Sequence, residues 1–226
     1  MAMQEQHPHS GDWLREVVFG LNDGLVTTLV FIMAVSAVAH ASLVLIALGE
    51  VVAGGVSMAL GGYLSARTAQ DVLAQRIATE RYEIAHEPEE ERAELRAIYR
   101  AKGISGPLLE RVVNRLTDDE DRWLRALVSD ELGVTDLAQE RPWRQGLLVG
   151  GSFVVGGLIP TMPFVVGLAH PRIGAYALTT LTAIGLGALK SRYTLQGPLR
   201  AGAEFLIIVT VGALAGVVIG TALHSV

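Results

Sequence analysis

Five apolar runs constrain this chain more than any other feature: Val17–Ala39, Ala41–Ala66, Gly146–Ala169, Ile173–Leu189 and Ala201–Leu223. Each approaches the roughly 20 residues that a helix needs to cross about 30 Å of hydrocarbon. Hydrocarbon offers no partner to a free backbone N–H or C=O, so a spanning segment is either a helix or a strand of a closed barrel. Runs of this length without a period of two are helices. The fold class that follows is all-α, a polytopic membrane protein with five transmembrane helices. Composition agrees, because half of the 226 residues are hydrophobic and only 18% are charged, outside the range of an ordinary soluble domain. No cysteine is present, which excludes disulfides, zinc–thiolate sites and thiol catalysis. A net charge of -5 gives no basis for a nucleic-acid partner.

The chain divides into residues 1–16, a polar N-terminal segment; 17–66, spans one and two; 67–145, a helical insert; and 146–226, spans three to five. Residues 1–16 lack the basic start and cleavage site of a secretory signal, so the first span is expected to be retained. The insert holds 13 of the 18 basic and 17 of the 23 acidic residues. Its apolar residues recur at helical spacing: Leu95, Ile98 and Tyr99, then Leu108, Leu109, Val112, Val113 and Leu116, then Trp123, Leu124, Leu127 and Val128. Pro88 fits a first helical position, which ends the helix leaving span two near Glu87. Thr117 followed by Glu120 fits a capping box opening the last helix. Arg15 before span one and Lys190, Arg192 and Arg200 between spans four and five place the N-terminus, the insert and the 190–200 link in the cytosol by the positive-inside rule.

Three acids fall inside the apolar runs: Asp23, Glu50 and Glu204. A charged residue at a helix centre costs about 2.5–3.5 kcal/mol on insertion scales, so each is a functional candidate. Asp23 and Glu50 approach the membrane middle from opposite faces, whereas Glu204, close to Arg200, also fits the interface. Glu50, Gly54 and Met58 follow one another at four-residue spacing, a stripe of carboxylate, gap and thioether. The thioether suits softer transition metals, although Met58 equally fits a packing role and Asp23, beside Asn22 and Gly24, a cap on a broken helix. Gly54, Gly55, Gly61 and Gly62, and Gly212, Gly216 and Gly220, form small-residue faces for helix packing or a dimer seam. Pro160 and Pro163 are expected to interrupt span three.

The segment from Glu80 to Glu94 carries seven acids against two arginines. Glu80 and Glu83 share one helix face, as do Glu91 and Glu94 on the next helix. Two such pairs on adjoining helices could converge on a hard divalent cation. Acids in a first helical turn are also favoured by the helix dipole, and charge runs are commonly solvated.

These motifs resemble those of the vacuolar iron transporter family, within the divalent iron/manganese transporter superfamily. Asn22-Asp23-Gly24-Leu25 is similar to its first-span motif, and Glu50 to Leu64 resembles its second-span signature. Gly156-Gly157-Leu158-Ile159-Pro160 with Pro163 resembles its third span. The match runs in order over nearly the whole chain from about Asp12. The resemblance implies a homodimer of five-span protomers with a translocation path between the first helices. It implies transport roles for Asp23, Glu50 and Met58, and metal binding by Glu80, Glu83, Glu91, Glu94 and Glu131 in the insert. One departure is Leu127, at a position where the family can carry a methionine ligand.

The function expected is export of divalent iron, manganese or both from the cytosol in exchange for protons. The alternatives are a manganese-selective exporter and a membrane-bound metal sensor or scaffold without transport. No enzyme is expected, since the paired Glu-x-x-His motifs of di-iron bundles, any His-Glu-x-x-His and any Gly-x-Ser-x-Gly are missing from the sequence. No prosthetic group is expected. Fe²⁺ or Mn²⁺ is the bound and transported species, with Co²⁺ and Zn²⁺ as further candidates; protons, the lipid bilayer and a second copy of the chain are the other partners. Sixteen arginines against two lysines lean toward a GC-rich bacterial genome and hence a bacterial cell membrane, with a vacuolar or other endomembrane if the source is eukaryotic.

Overall fold

The computed structural model describes residues 12–36, 42–133, 141–192 and 197–224. Among these, eight α-helices follow one another: α1 (Asp12–Val35), α2 (Leu43–His86), α3 (Pro88–Ala101), α4 (Gly106–Thr117), α5 (Glu120–Asp130), α6 (Pro142–Val165), α7 (Pro171–Lys190) and α8 (Pro198–His224). Five of them, α1, α2, α6, α7 and α8, are long and apolar enough to cross a membrane. The ends expected at Ala39 and Ala41 lie outside the described residues. The chain forms two compact units, one of residues 1–66 and 141–226, the other of residues 67–140. Helix α2 contributes to both. Its 44 residues would extend about 66 Å, roughly twice the hydrocarbon thickness, and its apolar part stops at Ala66.

In the first unit α1 packs against α6, α7 and α8. Leu25, Leu29 and Ile32 of α1 are buried, and Leu29 joins Ala175, Ala183, Phe205, Val209 and Ala213 in one core. Small residues permit the close approach. A methyl group on Gly216 would lie 2.6 Å from the Val30 carbonyl, and one on Gly220 equally near the Ala34 carbonyl. The glycine stripe of α8 is therefore a seat for α1 within one chain. By contrast, Val52, Val56, Leu60 and Leu64 on α2 and Ile207, Val211, Leu214 and Val218 on α8 are exposed on this single chain.

Helix α6 differs from its expectation: it continues through Pro160 and Pro163 and ends only after Val165. Membrane helices tolerate proline where neighbours and hydroxyl side chains supply alternative bonds. Pro160 and Pro163 are buried, and the Thr161 hydroxyl donates to the Gly157 carbonyl at 2.9 Å. Helix α1 likewise runs unbroken past Asn22-Asp23-Gly24, so Asp23 caps nothing.

The second unit has its own core of Ile84, Leu95, Leu109, Val113, Trp123, Leu124, Leu127 and Val128, whereas Leu108, counted with the apolar face, is exposed. As expected, α2 stops at His86 and α3 starts at Pro88. After α3, Gly103 takes φ +89°, a left-handed conformation that a side chain would strain, while Ile104 N–H closes back on the Tyr99 carbonyl. The capping box expected at Thr117 is a correction. Thr117 is the last residue of α4, with its hydroxyl on the Asn114 carbonyl, and Asp119 caps α5 by accepting from the Arg122 N–H at 2.8 Å. Thr117 still belongs to α4, so Asp119, three residues before the Arg122 amide, takes the cap. Outside the core, Arg96 makes two hydrogen bonds to Glu110, at 2.9 and 3.0 Å, tying α3 to α4.

Candidate functional site

In the first unit, Asp23 on α1 and Glu50 on α2 lie within electrostatic reach of each other. Thr28, fully buried one and a half turns beyond Asp23, donates its hydroxyl to Glu50 Oε2 at 2.7 Å. Thr27 donates to Asp23 Oδ1 at 3.3 Å, a weak bond within one helix turn. The room for the Thr28–Glu50 contact comes from α6: a methyl group on Gly157 would sit 2.7 Å from Thr28 Oγ1 and 2.8 Å from a Val51 methyl. Small residues at this crossing thus let an uncharged donor meet the carboxylate. Beside Asp23, the Asn22 amide oxygen is buried and has no hydrogen-bond partner.

Met58 lies elsewhere on α2. It lines a cavity of about 550 Å³ with Arg15, Glu16 and Phe19 of α1, Ser57, Gly61, Gly62 and Ser65 of α2, and Gln145 and Val149 of α6. Asp23 and Glu50 are not among the lining residues. Glu204, the third acid of the apolar runs, has two cationic neighbours, Lys190 at 3.8 Å and Arg200 at 3.9 Å. With its charge offset at the adjoining ends of α7 and α8, it fits an interfacial ion pair.

In the second unit, the single residue Glu87 separates α2 from α3. Glu83 and Glu80 precede it by four and seven residues, and Glu91 and Glu94 follow it by the same intervals. Those intervals put each pair on one helix face. Glu131 joins them from the C-terminal cap of α5. Glu80 and Glu91 are each only 6% exposed, and the Oε2 atom of each is buried without a hydrogen-bond partner. Burial pushes the Glu80 carboxyl up to about 7, helped by the charges of Glu131, Glu83 and Glu94. Glu91 also rises to about 7, again chiefly through burial and then through Glu80, Glu94, Glu83 and Glu131. Glu131 is raised by burial and by the charges of Glu94 and Glu83. The five acids therefore act on one another electrostatically. Their oxygens are not drawn into a coordination sphere, because no group of three or more His, Asp or Glu side chains among the described residues is arranged to hold a metal.

Chemically, the second unit carries a surplus of acceptor oxygens that a proton or a divalent cation relieves. Leu127 is fully buried in the core, and the five acids themselves offer only oxygen. Sequence reasoning missed Thr28 and Glu16. Thr28 is one hydroxyl in an apolar run, and Glu16 sits just before the first expected span; only the amphipathic register of α1 could have pointed to them.

A family model described as the VIT family matches residues 14–221. The chain is 31% identical to vacuolar iron transporter 1 of Tulipa gesneriana, over 99% of this chain and 92% of that protein. Vacuolar iron transporter 1 of Arabidopsis thaliana is 33% identical over 93% and 85%. A vacuolar iron transporter of Toxoplasma gondii is 28% identical over 98% and 81%.

Proposed function

The chain belongs to the VIT family and is a membrane protein of metal-ion transport, and from that premise we propose that it exports Fe²⁺ or Mn²⁺ from the cytosol in exchange for protons. The observation that carries this reading is the pairing of Asp23 and Glu50 across α1 and α2, with Thr28 as a neutral donor to Glu50. Two carboxylates between apolar helices need a cation or a proton to offset their charge. A divalent ion satisfies both at once, and so do two protons. The ion binds as the acids give up protons, and protons from the far side displace it there. Acids of the second unit capture ions from the cytosol and raise their supply to the path. The all-oxygen donor set of the five acids supports a capture site that takes Mn²⁺ as readily as Fe²⁺. The chain works as a homodimer with residues 67–140 on the cytosolic side.

The experiment is metal entry into proteoliposomes that contain a pH dye, under an imposed proton gradient, with Fe²⁺ and Mn²⁺ in turn. Metal flux that accelerates with an outward proton gradient and alkalinises the lumen in proportion, as protons leave in exchange, is the expected result, and acidification would instead mean co-transport. Flux indifferent to the gradient removes the exchange, and binding without flux leaves a sensor or scaffold.

A further inference from the structure

Asp130 and Glu131 are neighbours at the end of α5, yet they serve different partners. Glu131 faces the acids of α2 and α3, whereas Asp130 meets the last turn of α3. It pairs with the Lys102 ammonium and accepts a hydrogen bond from the Tyr99 hydroxyl. Lys102 also lies over the Tyr99 ring, 4.8 Å from its centre, so the three side chains close on one another. The Asp130 side chain is 17% exposed and Tyr99 packs against the core, which shields the contact from the screening that weakens surface pairs. Burial, the hydrogen bond to Asp130 and the charge of that carboxylate push the Tyr99 hydroxyl up to about 12. It therefore stays a donor across the physiological range.

The place of this contact in the unit gives it a role beyond bracing. Helix α3, which carries Glu91 and Glu94, packs on α4, and α4 packs on α5; the contact ties α3 to α5 directly. Glu131 caps the C-terminus of α5, held by its N–H on the Leu127 carbonyl, and the chain turns away two residues later at Gly133, φ +68°. The charges of Glu94 and Glu83 bear on Glu131, and like charges drive that end of α5 away from α3. Glu80 and Glu91, each 6% exposed with an unpartnered oxygen, show that the group into which Glu131 is held is short of a ligand. We infer that Tyr99, Lys102 and Asp130 form a positioning clasp, which holds Glu131 against Glu83 and Glu94 despite their repulsion and so prepares the acids for a divalent cation. Asp130 is the handle of this clasp and not a sixth ligand, since its charge is already engaged by Lys102 and Tyr99. Acids assembled before the ion arrives need less reorganisation when it binds. The inference rests on the capture role proposed for these acids.

The test uses the full chain in detergent with the membrane acids silenced by Asp23→Asn and Glu50→Gln, and Mn²⁺ as the probe in equilibrium dialysis at pH 7.5. Asp130→Asn and Tyr99→Phe should each weaken Mn²⁺ by about tenfold, while Lys102→Arg, which keeps the cation, retains it. In a chain that also carries Glu131→Gln, neither change should weaken Mn²⁺ further, because the clasp acts through Glu131. Arg96→Gln cuts the tie between α3 and α4 and is the control for bracing alone: it should lower the melting temperature and leave Mn²⁺ affinity unchanged. Affinity unaltered by Tyr99→Phe and Asp130→Asn, or a loss just as large in the Glu131→Gln chain, overturns the clasp. If Asp130→Asn aggregates, Tyr99→Phe decides. A silenced chain that binds no Mn²⁺, or whose binding survives Glu80→Gln with Glu91→Gln, defeats the capture reading and the clasp together. Binding that those two changes abolish but the clasp variants leave intact defeats the clasp alone.

Discussion

The two units of this protein handle carboxylates in opposite ways. In the membrane unit the acids are few, and the half-buried Glu50 has a neutral donor: Thr28 serves it at 2.7 Å. In the second unit five acids face one another, and the two buried ones each keep an oxygen without a partner. The first arrangement steadies a charge, as the proposed loading and discharge of a carried ion require. The second is a standing excess of negative charge, raised in proton affinity until a cation arrives. On the proposed reading, the carrier site and the capture site differ in hydrogen bonding rather than in the number of acids.

The largest effect that tests this contrast is on flux. Asp23→Asn and Glu50→Gln keep side-chain shape but remove the titrating charge, and each is expected to cut metal flux and its coupled proton movement together by about 100-fold. Glu80→Gln with Glu91→Gln should lower flux only at limiting metal and leave the maximal rate intact. Initial rates against metal concentration separate the two patterns; a loss of maximal rate in the Glu80, Glu91 variant would merge the two roles.

Stability against pH comes next. The carboxyls of Glu80 and Glu91 stand at about 7 in the folded unit, above the ordinary 4.5. The fold therefore binds more protons than the unfolded chain between those values, and stability is lost as pH rises from about 4.5 through 7. Mn²⁺ should restore it most at pH 7.5 and least at pH 5. A chain with Trp13→Phe and Trp143→Phe leaves Trp123, in the core of this unit, as the fluorescent reporter of its melting. Glu80→Gln with Glu91→Gln should melt higher at pH 7.5 and lose most of the response to pH and to Mn²⁺, the remainder coming from Glu131, whose carboxyl is also raised. A pH response that survives those changes undiminished would assign the effect to other groups.

Thr28→Val removes one hydrogen bond to a charged group, worth about 1.5–3 kcal/mol, and should weaken flux by roughly tenfold while Thr28→Ser restores it. An equal loss in both variants would make Thr28 a packing residue. The smallest effect belongs to Glu204. Its ion pairs with Lys190 and Arg200 are long and partly exposed, and such pairs contribute about 1 kcal/mol or less. Glu204→Gln should transport at the wild-type rate; a lost flux there would move the path toward α8.

The sequence by itself determined the five apolar helices, the break at Glu87-Pro88, the grouping of acids on either side of it and the likeness to a metal-transporter family. Each of these is carried by local periodicity, by proline's missing N–H or by charge counted along the chain, and none depends on a distant neighbour. Only the tertiary structure decided which side chains meet. Span three runs through its two prolines because the bundle packs around it. Asp119 rather than Thr117 caps α5, and the glycines of α8 receive α1 instead of a second chain. Thr28 reaches Glu50 because Gly157 of a third helix leaves the space, and Leu127 is core because α5 turns that face inward. Rotation of a helix about its own axis costs nothing in its own sequence pattern; it is fixed when neighbouring helices close-pack, and with it the identity of every cross-helix partner.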